Sequence, residues 1–186
     1  MVKYNYFEKL EQISALAEEA VKLACGGGEA ESISKVRKSC DRLICELEDA
    51  LFSDFLPPLD RDNIAGCAHS LSRVVDQASE LYCNGAFLSM NSKQNEEGRI
   101  CIRLAEELNS AISMLRRIRK PDELPNVQGY RRLLCEGRSA HTNMLTRLHT
   151  GILPRSCAQA IIQTGKLRTE LSRCFDELIE IMLNNI

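Results

Sequence analysis

The sequence predicts an all-α protein, folded as a bundle of six antiparallel helices. Apolar residues recur every three or four positions through six segments, which is the spacing of one buried helix face. Proline and glycine fall almost wholly between these segments, and no segment alternates in the manner of a β-strand. With 186 residues, of which only 5% are aromatic, the chain can bury one substantial core.

The helix limits follow from residues that interrupt the apolar pattern. Gly26–Gly28 ends the first helix, because three consecutive glycines are costly within a helix. Asn91–Asn95 is a polar break, and Lys120–Pro125 reads as a linker. The predicted helices are about Tyr4–Cys25, Glu31–Phe55, Asp60–Ala86, a fourth from the polar break to Lys120, Asn126–Thr150, and a sixth from the corner Gly151–Pro154 to about Leu183.

The corner between the second and third helices is the most informative segment. Pro57 and Pro58 end the second helix, because proline lacks a backbone N–H and its ring clashes with the preceding turn. Asp60 or Asp62 can then accept hydrogen bonds from the unpaired N–H groups that start the third helix. The corner motif is therefore Pro58, Asp60, Arg61 and Asp62. The predicted buried face of the third helix is Ile64, Ala68, Leu71, Val75, Ala78 and Tyr82.

An internal repeat is visible around two corners. Pro58 and Pro154 open corresponding turns 96 residues apart, and Leu71 and Val75 fall opposite Leu167 and Leu171 at the same offset. We therefore expect residues 1–186 to form a single domain of two three-helix bundles in tandem. The first repeat would cover about 1–90 and the second about 91–186.

Composition excludes several classes of protein. The formal net charge of −2 argues against a nucleic-acid-binding protein, which usually carries a basic excess. No run of about 20 apolar residues is present, so no membrane insertion is expected. The nine cysteines are scattered without a CxxC pair, and no apolar leader precedes them. They are expected to be reduced core residues of a cytoplasmic protein, and a zinc site lacks supporting spacing.

The corner also carries a resemblance to a known family. PPLDRDNI followed by LSRVVD resembles the hallmark segment of the PhoU-like proteins, in the branch that accompanies low-affinity inorganic phosphate transporters. The segments YFEKLEQISALAEEA, CDRLICELEDALF and LSRCFDEL also fit. The resemblance implies a non-enzymatic accessory or regulatory protein of phosphate uptake. Such a protein would act by binding a transporter or a signalling partner, and we expect a homodimer.

The resemblance also implies a metal site, which this chain has largely lost. Members of the family carry acidic pairs of the form (E/D)xxxD on the helices flanking each corner, and these pairs collect iron or zinc. The corresponding positions here are Arg37, Asp41, Ser72 and Asp76 in the first repeat, and Leu134, Arg138, Arg168 and Ser172 in the second. Only Asp41 and Asp76 remain as metal ligands. No cofactor is therefore expected, beyond at most one weakly bound divalent ion.

The replacements suggest different roles for the two repeats. Arg37 can neutralise Asp41 or Asp76 without an ion, whereas Arg138, Arg168 and Ser172 form a candidate anion site. The alternatives are solvated arginines, and ordinary polar flanks for the two aspartates. His141 is expected to be a satisfied residue at the core edge. Alternative functions are a carboxylate-bundle metal-binding protein or enzyme, although Glu-x-x-His motifs are absent, or a purely structural interaction protein.

Overall fold

A computed structural model describes residues 4–27, 29–54, 57–84, 95–117, 120 and 123–185. Within these ranges the chain forms helices and no strand, so the all-α prediction is confirmed. A 3₁₀ turn, Arg155–Cys157, leads into the last helix. The helices are α1 Tyr6–Gly26, α2 Ala30–Ser53, α3 Arg61–Cys83, α4 Glu96–Met114, α5 Val127–His149 and α6 Ala158–Asn184.

Most helix limits agree with the sequence-based prediction, but α4 is shorter. It ends at Met114 rather than Lys120, because the chain tightens into a turn in which Leu115 N–H donates to the Ile112 carbonyl at 3.0 Å. The Arg117 N–H then donates to the Met114 carbonyl at 2.8 Å. Such i→i+3 bonds are a common way for a helix to end. The predicted end of the third helix at Ala86 lies outside the described residues.

The predicted apolar faces form the core. Leu71 is completely inaccessible to solvent, and Tyr82 is partly buried. Tyr130 and Phe175 stack face to face with their ring centroids 3.6 Å apart, and the Tyr130 hydroxyl donates to the Leu171 carbonyl at 2.9 Å. Six of the nine cysteines are buried in this core, namely Cys25, Cys40, Cys67, Cys101, Cys157 and Cys174. The described helices include none that is both long and apolar enough to cross a bilayer.

Helices α1, α2 and α3 pack against one another, and so do α4, α5 and α6. The two groups meet where α1 contacts α4 and where α3 contacts α6. The α3–α6 contact is antiparallel: Arg73 pairs with Glu177 at 3.1 Å, and Gln77 donates to Gln163 at 2.8 Å. The division into repeats at about residue 90 falls outside the described residues and stays a prediction.

Candidate functional site

The corner between α2 and α3 is held by side chains that satisfy the exposed helix ends. Asp60 is the N-cap of α3, and its Oδ1 accepts from the Asp62 N–H at 2.9 Å. Arg61 reaches back to α2, where Nη1 donates to the Leu51 carbonyl at 2.6 Å and Nη2 donates to the Asp54 carbonyl. Pro58 is exposed at the turn. Of the two aspartates expected as caps, the structure selects Asp60.

Tyr6 reinforces the same corner from α1. Its hydroxyl lies 3.1 Å from the Ala50 carbonyl and 3.1 Å from Oδ2 of Asp54, and only 1% of the residue is exposed. Burial, followed by the hydrogen bond to Asp54, raises the pKa of Tyr6 to about 12. Helices α1 and α3 therefore both supply donors to the last carbonyl groups of α2, which a helix leaves unpaired.

Three of the four predicted positions of the first repeat, Asp41, Ser72 and Asp76, lie near the buried thiol of Cys40. Arg37 pairs with Asp76 at 2.9 Å, Asp41 is exposed, and Ser72 is half-buried. Burial raises the pKa of Cys40 to about 12; the charges of Asp41 and Asp76 add to this, and a hydrogen bond with Ser72 opposes it. The structure thus brings these residues to one face formed by α2 and α3.

This face does not fit an iron or zinc cluster. A hard or borderline cation needs several anionic oxygens, and this face supplies two carboxylates. One of them, Asp76, is already bonded to Arg37. Among the residues with described positions, no group of three or more histidine, cysteine or acidic side chains could hold a metal. Binding of a single ion by Asp41 and Asp76 stays a prediction.

The second repeat places its predicted residues together as well. Arg138 of α5 and Arg168 and Ser172 of α6 line one open groove of about 590 Å³, together with Thr169, Arg173, Asp176, Glu177 and Glu180. Leu134, the remaining position assigned to this site, is instead a buried core residue. We call this the α5–α6 groove.

Sequence reasoning missed a buried carboxylate behind the groove. No part of Glu97 is exposed, and its Oε1 accepts a hydrogen bond from Nε of Arg168 at 2.8 Å. Its Oε2 lies 2.8 Å from Nδ1 of His141. Only 11% of the Arg168 side chain is exposed. Glu97, His141 and Arg168 thus form a triad, called the Glu97 triad, that joins α4, α5 and α6.

Two glycines make room for the triad in a reciprocal way. A Cβ atom on Gly137 of α5 would lie 2.6 Å from Cδ of Arg168, and one on Gly165 of α6 would lie 2.7 Å from Cε1 of His141. Helix α5 therefore contributes His141 and the glycine that makes room for Arg168. Helix α6 contributes Arg168 and the glycine that makes room for His141. Two signals in the sequence mark the triad. Glu97 lies one turn before Ile100, where the buried apolar residues of α4 begin, and Gly137 and Gly165 lie within helices, where a glycine costs stability and often serves packing.

Neither His69 nor His141 forms a nucleophile–base pair with a hydroxyl or thiol side chain of the described residues. His69 Nε2 lies 3.1 Å from Glu48 Oε1, and His141 contacts Glu97. Acyl or phosphoryl transfer through an activated hydroxyl or thiol would need a base next to the nucleophile. Each ring contacts a carboxylate through one nitrogen, and its other nitrogen forms no hydrogen bond with a hydroxyl or thiol among the described residues. His141 is satisfied at the core edge, as expected from the sequence.

Comparison with known proteins bears on the fold. No protein-family model and no curated protein matches this sequence. The crystal structure of a PhoU-like protein from Shewanella oneidensis MR-1 shares 15% identity and a TM-score of 0.70, over 97% of this chain and 97% of the other. The crystal structure of a candidate PhoU-like phosphate regulatory protein from the same organism shares 15% identity and a TM-score of 0.67, over 97% and 96%. The chain therefore has the all-α, six-helix fold of solved PhoU-like proteins.

Proposed function

We propose that this chain is a non-enzymatic accessory or regulatory protein of inorganic phosphate uptake. The observation that carries the proposal is the likeness along nearly the whole chain to a candidate PhoU-like phosphate regulatory protein. The resemblance at the corner motif points to the branch that accompanies low-affinity phosphate transporters. The protein would act in the cytoplasm by binding a transporter or a signalling partner, as a homodimer.

The geometry supports binding rather than catalysis. The Glu97 triad is internally compensated, and it lies behind the α5–α6 groove as a support for Arg168. The alternative of a metal-binding carboxylate bundle is less well supported, because Arg37 is already paired with an oxygen of Asp76 that a metal ion would need as a ligand. Regulation through a partner needs only a stable folded surface, which the six packed helices provide.

A gene deletion in the source organism tests this proposal. We expect the deletion strain to take up radiolabelled phosphate at an altered rate, or to lose the normal response of uptake to phosphate starvation. A plasmid copy of the gene should restore the parental behaviour, whereas the empty vector should not. Phosphate uptake and phosphate-responsive expression identical to the parent strain would overturn the proposal.

Partner binding is tested separately. A tagged copy, expressed at its natural level, should co-purify with the phosphate transporter of the same organism. An unrelated tagged helical bundle of similar size and charge provides the control. Equal recovery of the transporter with both baits would contradict the proposed mode of action.

A further inference from the structure

We propose that the α5–α6 groove binds a small tetrahedral oxyanion, such as inorganic phosphate, through Arg138, Arg168 and Ser172. All three residues line the groove. The argument depends on which of their hydrogen-bond donors are already engaged by the protein. It also depends on how the charges are distributed along the groove.

Arg168 is held in place while its terminal nitrogens stay available. Nε donates to the buried carboxylate of Glu97 at 2.8 Å, and Cδ packs over Gly137. Within the described residues, no hydrogen bond engages Nη1 or Nη2 of Arg168. Because Glu97 already fixes the orientation of the Arg168 guanidinium, this side chain loses little further conformational entropy when it binds an anion. Glu97 is therefore a positioning residue for the groove.

Arg138 and Ser172 provide free donors beside Arg168. Arg138 directly follows Gly137, against which Arg168 packs, and it is exposed. Its guanidinium has no ion pair or hydrogen bond with any residue whose position is described. The Ser172 hydroxyl, one helical turn after Arg168, also has none. By contrast, the Thr169 hydroxyl donates to the Gly165 carbonyl at 2.9 Å, so its proton is already used.

Charge places the anion at one end of the groove. Glu97 compensates Arg168, so Arg138 carries the net positive charge at this end. Arg173 is paired with Glu177 at 3.1 Å. Asp176 and Glu180 lie eight and twelve residues beyond Arg168 on α6, which corresponds to roughly 12 and 18 Å along the helix axis. From Arg168, both separations exceed the Debye length of about 8 Å at physiological ionic strength. Asp176 lies only one turn, roughly 6 Å, beyond Ser172, so the anion is expected at the end of the groove nearer Arg138 and Arg168.

The donor set fits a tetrahedral oxyanion better than chloride or an extended polyanion. Two guanidinium groups and a hydroxyl offer several N–H and O–H donors that can bind different oxygens of one phosphate. The acidic half of the groove would repel a polyanion that extends along α6. The biological meaning of this ligand depends on the proposed role in phosphate uptake, whereas binding itself is measurable on the purified protein.

Titration of the full-length protein with inorganic phosphate tests the site. Ionic strength is kept constant with chloride, and binding is followed by calorimetry and by NMR chemical shifts. We expect 1:1 binding, with the largest shifts at the Arg138, Arg168 and Ser172 amides and small shifts at Asp76. Arg138→Gln should weaken binding by about tenfold or more, since it removes a charge-assisted donor. Ser172→Ala should weaken it by a smaller factor.

Arg131→Gln is the matched control. Arg131 is also an exposed arginine of α5, but it lies outside the groove, so this substitution makes the same charge change elsewhere. It should alter the affinity less than about twofold. Sulfate should compete with phosphate, because it presents the same tetrahedral oxygens.

Two results would overturn the proposal. One is the absence of saturable binding up to about 10 mM phosphate, which would correspond to a binding free energy too small for a specific site. The other is equal weakening by Arg138→Gln and Arg131→Gln, which would indicate non-specific attraction to positive charge. Either result would leave the uptake phenotype of the deletion strain unchanged, so a failed site and a failed function are distinguishable.

Discussion

Glu97 and Arg168 form an ion pair at 2.8 Å in which the carboxylate is entirely inaccessible to solvent. The two residues lie 71 positions apart in the chain and join α4 to α6. A buried charge of this kind is tolerated only when a partner of opposite charge and further hydrogen bonds compensate it. His141 supplies the second contact from α5.

Replacing the buried carboxylate should therefore destabilise the protein. Glu97→Gln keeps the shape of the side chain but leaves Arg168 without its counter-charge. We expect the free energy of unfolding to fall by about 3–5 kcal/mol, measured by urea denaturation. Glu107→Gln, an exposed change on the same helix, is the control and should cost less than about 0.5 kcal/mol. Equal losses in the two variants would show that the triad does not stabilise the fold.

Gly137 should resist a substitution that usually stabilises helices. A new Cβ would lie 2.6 Å from Cδ of Arg168 and 3.3 Å from Cγ2 of Ile100, so Gly137→Ala should cost about 1–3 kcal/mol of unfolding free energy. Gly66 of α3 is exposed, and a Cβ there would have no heavy atom within 4 Å. Gly66→Ala should therefore stabilise by about 0.5–1 kcal/mol. Thermal unfolding of both variants tests the prediction. A Gly137→Ala protein that is more stable than the parent would contradict the close packing of Arg168 against Gly137.

The corner depends on the forked guanidinium of Arg61. Arg61→Ala removes the donors to the Leu51 and Asp54 carbonyls at the end of α2 and should cost about 1–3 kcal/mol in denaturant unfolding. Arg61→Lys should recover only part of this loss, because an ammonium cannot reproduce the fork. Arg131→Ala provides an exposed control. Full recovery by lysine would mean that charge alone, rather than two directed hydrogen bonds, holds the corner.

Thiol reactivity should separate the nine cysteines into two classes. Cys45, Cys83 and Cys135 are exposed and should react rapidly with a thiol reagent under mildly alkaline conditions. Burial raises the pKa of Cys67 to about 12, so this thiol stays protonated and unreactive when the pH increases from neutral to mildly alkaline. All nine should react once the protein is unfolded. Rapid labelling of more than three sites in the native protein would contradict the packing.

Removal of metal should leave the fold intact. The core is formed by apolar side chains, and Arg37 compensates Asp76 without an ion. Exhaustive chelation should therefore change neither the far-ultraviolet circular dichroism nor the denaturation midpoint. Elemental analysis of purified protein should find well under one iron or zinc per chain. A stoichiometric cluster bound at Asp41 and Asp76, or loss of helicity on chelation, would show this interpretation to be wrong.

The corner shows how far sequence reasoning extends. The two prolines and the aspartates that follow predict a helix end, a turn and a new N-cap, because these effects act within a few residues. The choice of Asp60 over Asp62 depends on the backbone geometry of the turn. The contacts of Tyr6 with Ala50 and Asp54 depend on how α1 packs against α2, which periodicity does not specify.

The sequence by itself determined the six helices and their buried faces, because a helical repeat of 3.6 residues assigns each side chain to a face. The grouping of Arg138 with Arg168 and Ser172 was implied by the resemblance to the PhoU-like proteins, since periodicity does not relate residues of two helices. Only the tertiary structure decided the partners. Glu97 reaches His141 and Arg168 across 44 and 71 residues, through space that Gly137 and Gly165 leave open. The reason is physical: local periodicity determines which side chains turn inward, whereas the pairing of buried charges depends on the packing of three helices around one point.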